Sequence, residues 1–394
     1  MKKKTVAIAK LVFLCSLFIG ISGGIGDVQA QEASRKIVVF EKAFSDRGRQ
    51  IALVKSQGAQ VIKPLALINA VAVFLPEQAE KALLSKAEVV RIDEDIIVNA
   101  IAKPQPQPQP QPAQELPWGI DRINAEIAQS TTGGLAVKVA ILDTGIDLDH
   151  PDLLNNIKGN VNTISSRRSG NDDNGHGTHV AGIIAAVDNS IGVVGVGPEI
   201  YLYAVKVLGK NGSGWLSDII EGFDWCINNK MQVVNMSFGS SGDNQSFHDA
   251  ISKTYAAGVV LVAAAGNDGA ANTVNYPAKY PEVIAVSAIG QDDKLAGFSS
   301  FGPEVDIAAP GVTIKSTYND GYYKSLNGTS MACPHVVGVA ALVLSTAVGA
   351  YDTDGDGAWG PSEVKNKLEA TAENLGLSSN EQGAGLVRAD LAVQ

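Results

Sequence analysis

Val137-Lys138-Val139-Ala140-Ile141-Leu142-Asp143-Thr144-Gly145 decides the architecture of this chain. A nearly continuous apolar run ending in an acid and a glycine reads as a strand buried on both faces, Val137–Leu142, that opens into a turn. Four more runs repeat the pattern, at Leu202–Val207, Val233–Met236, Val259–Ala263 and Val283–Ser287. Helical patterns lie between them, at His176–Val187, Ser217–Asn228, Gln245–Ala257 and Ser330–Ala347. Buried strands alternating with helices predict an α/β fold, a doubly wound parallel sheet. Reactive groups then belong at the carboxyl ends of strands and at adjoining helix starts.

Three segments carry chemistry. The first is the strand end at Asp143. The second, Asn174-Gly175-His176-Gly177-Thr178-His179, opens a helix with a histidine. The third, Asn327-Gly328-Thr329-Ser330-Met331-Ala332-Cys333-Pro334-His335, sets a serine between a glycine turn and the apolar run Val336–Ala347. Pro334 is expected in the first helical turn, where proline is tolerated. A serine at a helix start ordinarily serves as an N-cap. The other two segments change that reading. A serine hydroxyl is a weak nucleophile that needs an imidazole base, and the imidazole needs a carboxylate to hold its tautomer and its charge.

Tyr203-Ala204-Val205-Lys206-Val207-Leu208-Gly209, Asn235-Met236-Ser237-Phe238-Gly239 and Ala263-Ala264-Ala265-Gly266-Asn267 stand in order with these segments. Together they resemble the subtilisin-like serine proteases (subtilases) from about Gln114 to Ala392, and the chain order Asp143, His176, Ser330 is that of subtilisin. The resemblance implies a secreted serine endopeptidase with Asp143, His176 and Ser330 as triad. Asn267 and the Ser330 N–H are then the donors for the oxyanion. An extended polypeptide substrate would lie beside Leu208–Gly214, with Gly212, and beside Ser237, Phe238 and Gly239. Ala264, Gly266 and Asn275 would border the primary pocket, with Leu208, Leu216, Ile219 and Phe238 further upstream. Small residues at the pocket mouth suggest broad specificity with a preference for large uncharged side chains.

Calcium is the implied cofactor. Gln114, Asp152 and Asn189, with the carbonyls of Val187, Ile191 and Val193, match the tight site of the family, and the carbonyls of Ala278, Tyr280 and Val283 match a weaker one. Independently of the resemblance, Asp352, Asp354 and Asp356, Gly357 and Glu363 occupy positions one, three, five, six and twelve of a calcium loop. Helices are expected to flank it, up to Val348 and over Ser362–Thr371.

The 394 residues suffice for more than one domain, and 45% hydrophobic content supports a large core. A net charge of −10 disfavours nucleic acid or anionic membrane as partner. Lys2, Lys3, Lys4 and Lys10, the apolar run Leu11–Ile21 and the small residues Val28-Gln29-Ala30 read as a secretory signal over residues 1–30. Residues 31–101 read as a small α+β unit. Its strands are Lys36–Phe40, Ala70–Leu75 and Val89–Ile92, and its helices are Asp46–Ser56 and Pro76–Lys86. This order resembles the ferredoxin-like propeptide of subtilases, an intramolecular chaperone and inhibitor whose tail enters the cleft. Alternating Pro and Gln over Lys103–Pro112 forbids helix and marks an extended spacer, in a linker over 102–113 before the catalytic domain at 114–394. Cleavage is expected between Ala100 and Gln114, with Ile101 before the cut. The product is expected to be a soluble monomer.

Alternative readings remain open at several residues. Cys226 and Cys333 are buried thiols or a disulfide, the former preferred. His179 stands three residues after His176, off the zinc-binding spacing, and reads as packing. Peroxide is expected to oxidise Met331 and depress activity. Asp143-Thr144-Gly145 is also an aspartic-protease tripeptide, but that chemistry needs a second one and none occurs. A catalytically silent calcium-binding scaffold is the non-enzyme alternative.

Overall fold

Seven parallel strands form the central sheet of the structure, a computed structural model that describes residues 33–101 and 112–394. The expected signal segment and the Lys103–Gln111 part of the spacer lie outside the described residues. Residues 33–101 hold β1 (Ser34–Phe40), α1 (Arg47–Ser56), β2 (Gln60–Leu65), β3 (Ala70–Leu75), α2 (Glu77–Leu84), β4 (Val89–Glu94) and β5 (Ile97–Ala100). Their sheet has the order β2-β3-β1-β4, with β1 antiparallel to both neighbours. The reading from sequence lacked β2, because Lys63 and Pro64 interrupt its apolar pattern. Alternation along β1 gives this sheet two jobs. Val38 and Phe40 pack in one core with Val54 of α1 and Leu83 of α2, while Ile37 and Val39 join a second core that holds Phe223 and Phe247.

Residues 112–394 follow with β6 (Lys138–Asp143), β7 (Ile157–Asn162), α3 (His176–Ala185), β8 (Tyr201–Lys206), β9 (Ser213–Trp215), α4 (Leu216–Asn228), β10 (Val233–Met236) and β11 (Phe238–Gly239). Then come α5 (Gln245–Ala256), β12 (Val260–Ala264), β13 (Ile284–Ile289), β14 (Ile307–Pro310), a β15–β16 hairpin (Ile314–Tyr318, Tyr322–Leu326), α6 (Thr329–Leu344) and α7 (Pro361–Ala370). The sheet order is β14-β13-β12-β10-β6-β8-β7. It reverses direction around β6, so Asp143 ends its strand at the switch point where doubly wound sheets place their sites. The five strands read from sequence are all present. The two missed ones, β7 and β14, are the sheet edges; β7 carries Lys158, Asn160 and Asn162 and so lacks the apolar run of a doubly covered strand.

Two further expectations need correction. Pro334 is not in the first turn of α6 but is its sixth residue, because the helix starts at Thr329 behind Gly328. The helix before the acidic loop ends at Leu344 and not at Val348; a single 3-10 turn, Gly349–Tyr351, stands there instead. Ser345 is the C-cap, and the Ser345 and Thr346 hydroxyls turn back onto the Leu342 and Val343 carbonyls at 2.6 and 2.7 Å.

Candidate active site

Asp143 at the end of β6 and His176 at the start of α3 meet in the interior, with His176 Nδ1 2.7 Å from Asp143 Oδ1. Asp143 is fully buried and its Oδ1 also accepts the Thr144 N–H at 2.7 Å. Burial works against the imidazolium, but the charge and hydrogen bond of Asp143 outweigh it, and His176 is held above the ordinary imidazole value. Its Nε2 is buried with no hydrogen-bond partner among the described residues. The other ring nitrogen thus carries the carboxylate contact and leaves Nε2 to act as base.

Ser330 is the second residue of α6. Its Oγ lies 2.6 Å from the carbonyl oxygen of Ile101 and 2.9 Å from that of Ser237, two acceptors for one proton. The hydrogen bond to His176 expected of a triad is therefore not made in this state. Ile101 continues β5, which runs antiparallel between β9 and β11. Ala100 N–H donates to Gly212 O at 2.7 Å and Ile101 N–H to Ser237 O at 3.3 Å. Val98 is fully buried in one cluster with Leu208, Leu216, Ile219 and Phe238. An extended peptide thus lies along both of the segments expected to hold substrate.

Asn267 Nδ2 donates to the Ile101 carbonyl at 2.9 Å. Its amide is held the right way round by Thr329, whose N–H and Oγ both reach Asn267 Oδ1 at 3.0 Å. Gly328 must be glycine for this approach, since a Cβ there would stand 2.8 Å from the Ile101 oxygen. The Ile101 side chain lies against Gly239, where a Cβ would be 2.7 Å from its Cδ1. Asn275 leans over Gly266, within 2.2 Å of where a Cβ would sit, so these two residues expected at the primary pocket lie against each other. Ala264 is buried at the end of β12.

Pro334 has a consequence for the nucleophile. It lacks the N–H that would close the helical bond to Ser330 O, and Ser237 Oγ donates to that oxygen instead, at 3.0 Å. Asn235 Nδ2 donates in turn to Ser237 Oγ at 3.0 Å, and Cys333 Sγ lies 3.4 Å from Asn235 Oδ1. Sequence reasoning placed Ser237 beside the substrate and missed this second role, although a proline four residues after the serine signals a free carbonyl. Cys226 and Cys333 are buried free thiols, and burial pushes the Cys333 thiol up to about 12. His179 is a packed histidine between strands, its Nε2 3.1 and 3.0 Å from the Ile314 and Lys324 carbonyls, and burial pushes it down to about 3. Met331 has no accessible surface in this structure.

Two places gather oxygen ligands. Pairing of Ala113 and Glu115 with Ile191 and Val193 brings Gln114 beside the 187–193 loop. There Asn189 Nδ2 is 2.6 Å from Asp152 Oδ1, and Gln114 Oε1 accepts the Asn189 N–H at 2.5 Å. Asp152 is fully buried, and burial raises its pKa. The carbonyl oxygens of Val187, Ile191 and Val193 take no hydrogen bond among the described residues. A buried carboxylate beside three free carbonyls fits a hard cation. Of the weaker set, Tyr280 O accepts the Val283 N–H at 3.0 Å, while Ala278 O takes no hydrogen bond among the described residues. In the acidic loop, ligand oxygens of Asp352, Asp354 and Asp356 lie within 4.8 Å of one another. Glu363 is turned to other donors, accepting the Thr353 N–H at 2.6 Å and the Gly360 N–H at 2.8 Å as the cap of α7.

A doubly wound α/β sheet with a buried Asp–His pair, a serine at a helix start and an amide donor aimed at a peptide carbonyl defines a serine hydrolase acting on acyl groups. Comparison with known proteins narrows this. The model of the subtilase family matches residues 134–385. The chain is 47% identical to subtilisin Savinase of Lederbergia lenta, over 72% of this chain and all of the relative. It is 46% identical to a thermostable alkaline protease of Halalkalibacterium halodurans, over 79% of this chain and 82% of the relative. With subtilisin E of Bacillus subtilis it shares 40% identity over the full length of both. This chain belongs to the subtilase family and is a subtilisin-like serine endopeptidase.

Proposed function

We propose that the chain is a secreted, calcium-stabilised proenzyme that cuts itself after Ile101, and that Asp143, His176 and Ser330 perform the reaction. The observation that carries this reading is the Ile101 carbonyl, held at once by Asn267 Nδ2 and Ser330 Oγ. In the reaction Ser330 Oγ adds to the Ile101 carbonyl carbon while His176 Nε2 takes its proton, so the hydroxyl must first swing from the carbonyl oxygen to the unpaired nitrogen. The negative charge that develops on the carbonyl oxygen is met by Asn267 Nδ2 and the Ser330 N–H at the positive end of α6. His176 then gives the proton to the departing amine of Ala102, and water releases the acyl group by the reverse path.

Residues 33–101 stay bound as inhibitor, with β5 in the cleft. Other substrates follow the same strand path, with large uncharged side chains preferred next to the cut bond. Gln114, Asp152, Asn189 and the carbonyls of Val187, Ile191 and Val193 would hold one calcium ion. The carbonyls of Ala278, Tyr280 and Val283 would hold a weaker cation. Asp352, Asp354 and Asp356 would hold another calcium ion, with Glu363 joining only by leaving its cap. Calcium supplies rigidity to these loops and takes no part in the hydrolysis.

Mass spectrometry tests the proposal, comparing wild type with Ser330→Ala after refolding with calcium and without the signal. Wild type is expected to split after Ile101 and the variant to stay whole. If both stay whole and wild type resists a phosphonyl fluoride label, the silent-scaffold reading takes its place.

A further inference from the structure

Asp172 is buried four residues before His176 and is outside the triad, yet its carboxylate is the most heavily used acceptor near the site. Oδ1 accepts from Thr144 Oγ, Asn174 N and Gly175 N, each at 2.9 Å, and Oδ2 accepts from Thr178 N at 3.0 Å and Thr178 Oγ at 2.6 Å. These donors sit on both sides of His176 and, through Thr144, on the residue that follows Asp143. Thr144 Oγ accepts the Gly177 N–H at 3.0 Å, and Thr178 Oγ accepts the Asp147 N–H at 2.9 Å. The backbones approach so closely that a Cβ on Gly177 would stand 2.1 Å from Gly145 O. The N-cap of α3 is Gly175, which has no side chain to satisfy the first-turn donors, so Asp172 supplies what a cap cannot.

We propose that Asp172 is a positioning residue for the catalytic pair: its carboxylate locks the turn after β6 to the start of α3 and thereby holds the His176 imidazole on Asp143. The inference rests on the triad reading above. A buried anion here also favours the imidazolium formed during the reaction. The charged and titratable groups around it are His176 and Asp143, His179 one turn along α3, Asp147 and Asp173, Lys206, whose Nζ pairs with Asp173 at 2.7 Å, and Tyr318, whose hydroxyl donates to Asn174 O at 2.9 Å. Thr144 bridges the two carboxylates, its N–H on Asp143 Oδ1 at 2.7 Å and its Oγ on Asp172 Oδ1 at 2.9 Å, while only Asp143 bonds the His176 ring.

The test uses mature enzyme titrated with a phosphonyl fluoride, whose failure to label wild type would sink the triad reading separately. Asp172→Asn keeps the shape but replaces one acceptor oxygen with a donor facing N–H groups. Its kcat is expected to fall about tenfold or more, since small displacements of a catalytic base are costly, with KM within about twofold. The acid limb of kcat/KM is expected to move to lower pH. An unchanged kcat and acid limb, whatever happens to Tm, overturns the proposal. If Asp172→Asn yields no folded enzyme, Thr144→Val removes one strut and leaves the carboxylate in place. A several-fold fall in kcat, restored by Thr144→Ser, supports the proposal; wild-type kcat in Thr144→Val overturns it.

Discussion

At the residue level, His176 Nε2 and the Asn267 amide are held ready, while the Ser330 hydroxyl still faces the Ile101 and Ser237 carbonyls. His176 Nε2 has no hydrogen bond among the described residues, and Ser330 O, freed by Pro334, is taken by Ser237 and not left to disturb the turn. Asn267 is oriented by Thr329, so removing its amide should cost turnover and little else. Asn267→Leu is expected to lower kcat by about 10²–10³ with KM nearly unchanged, the magnitude measured when subtilisin itself loses its amide donor to the oxyanion. Steady-state kinetics check it, and a variant with wild-type kcat would remove Asn267 from the oxyanion role. The pH profile tests His176. The base must be neutral to accept a proton, and its pKa is raised by Asp143 against burial, so activity should fall as pH drops through a value above the usual 6.5. In Asp143→Asn that limb should move downward, as seen in kcat/KM measured against pH. Asp143, His176 and Ser330, the proposed triad, were legible as residue types at helix and strand ends. The hub at Asp172 was not, since an aspartate in a loop has no pattern until its donors are folded around it.

Among elements, the contact that matters most is between residues 33–101 and helices α4 and α5. Asp95 Oδ1 accepts the Ser217 N–H at 2.9 Å and so supplies to α4 a cap from a segment 122 positions away, with Arg35 Nε 2.8 Å from its other oxygen. Asp93 Oδ2 similarly accepts from Ser246 Oγ in the first turn of α5 at 2.6 Å. Lys63 Nζ adds ion pairs to Asp218 at 2.6 Å and Glu221 at 2.5 Å. Loss of a helix cap costs about 1 kcal/mol. Asp95→Ala in the full-length Ser330→Ala chain is therefore expected to lower stability by about that amount, read as a lower urea midpoint. An unchanged midpoint would mean that α4 caps itself with water. The helices and inner strands were readable from periodicity, because buried elements carry uninterrupted apolar runs. The edge strands β7 and β14 and the interrupted β2 were not, since their pairing is decided by neighbours.

For the whole molecule, calcium is the expected stabiliser. A ligand present at 100 times its Kd adds about 2.7 kcal/mol, which for a domain of this size corresponds to roughly 5–10 °C in Tm. Chelation of the mature enzyme should lower Tm on that scale, and Asp152→Asn should abolish most of the calcium dependence. Asp354→Asn tests the acidic loop separately. If chelation still lowers its Tm by the full amount, the loop contributes nothing to stability.

By itself the sequence determined the class of fold, because strand and helix periodicities are local consequences of burial, and it placed Asp143, His176 and Ser330 at the ends of elements where doubly wound sheets gather their chemistry. Only the tertiary structure decided what those residues touch. The Ile101 carbonyl under Asn267, the carboxylate of Asp172 on Thr178 and the hydroxyl of Ser237 on the Ser330 carbonyl all join groups from 6 to 166 positions apart in the chain. Directional hydrogen bonds of this kind depend on distances of a few tenths of an ångström, and those are set by how the layers pack and not by any single stretch of residues.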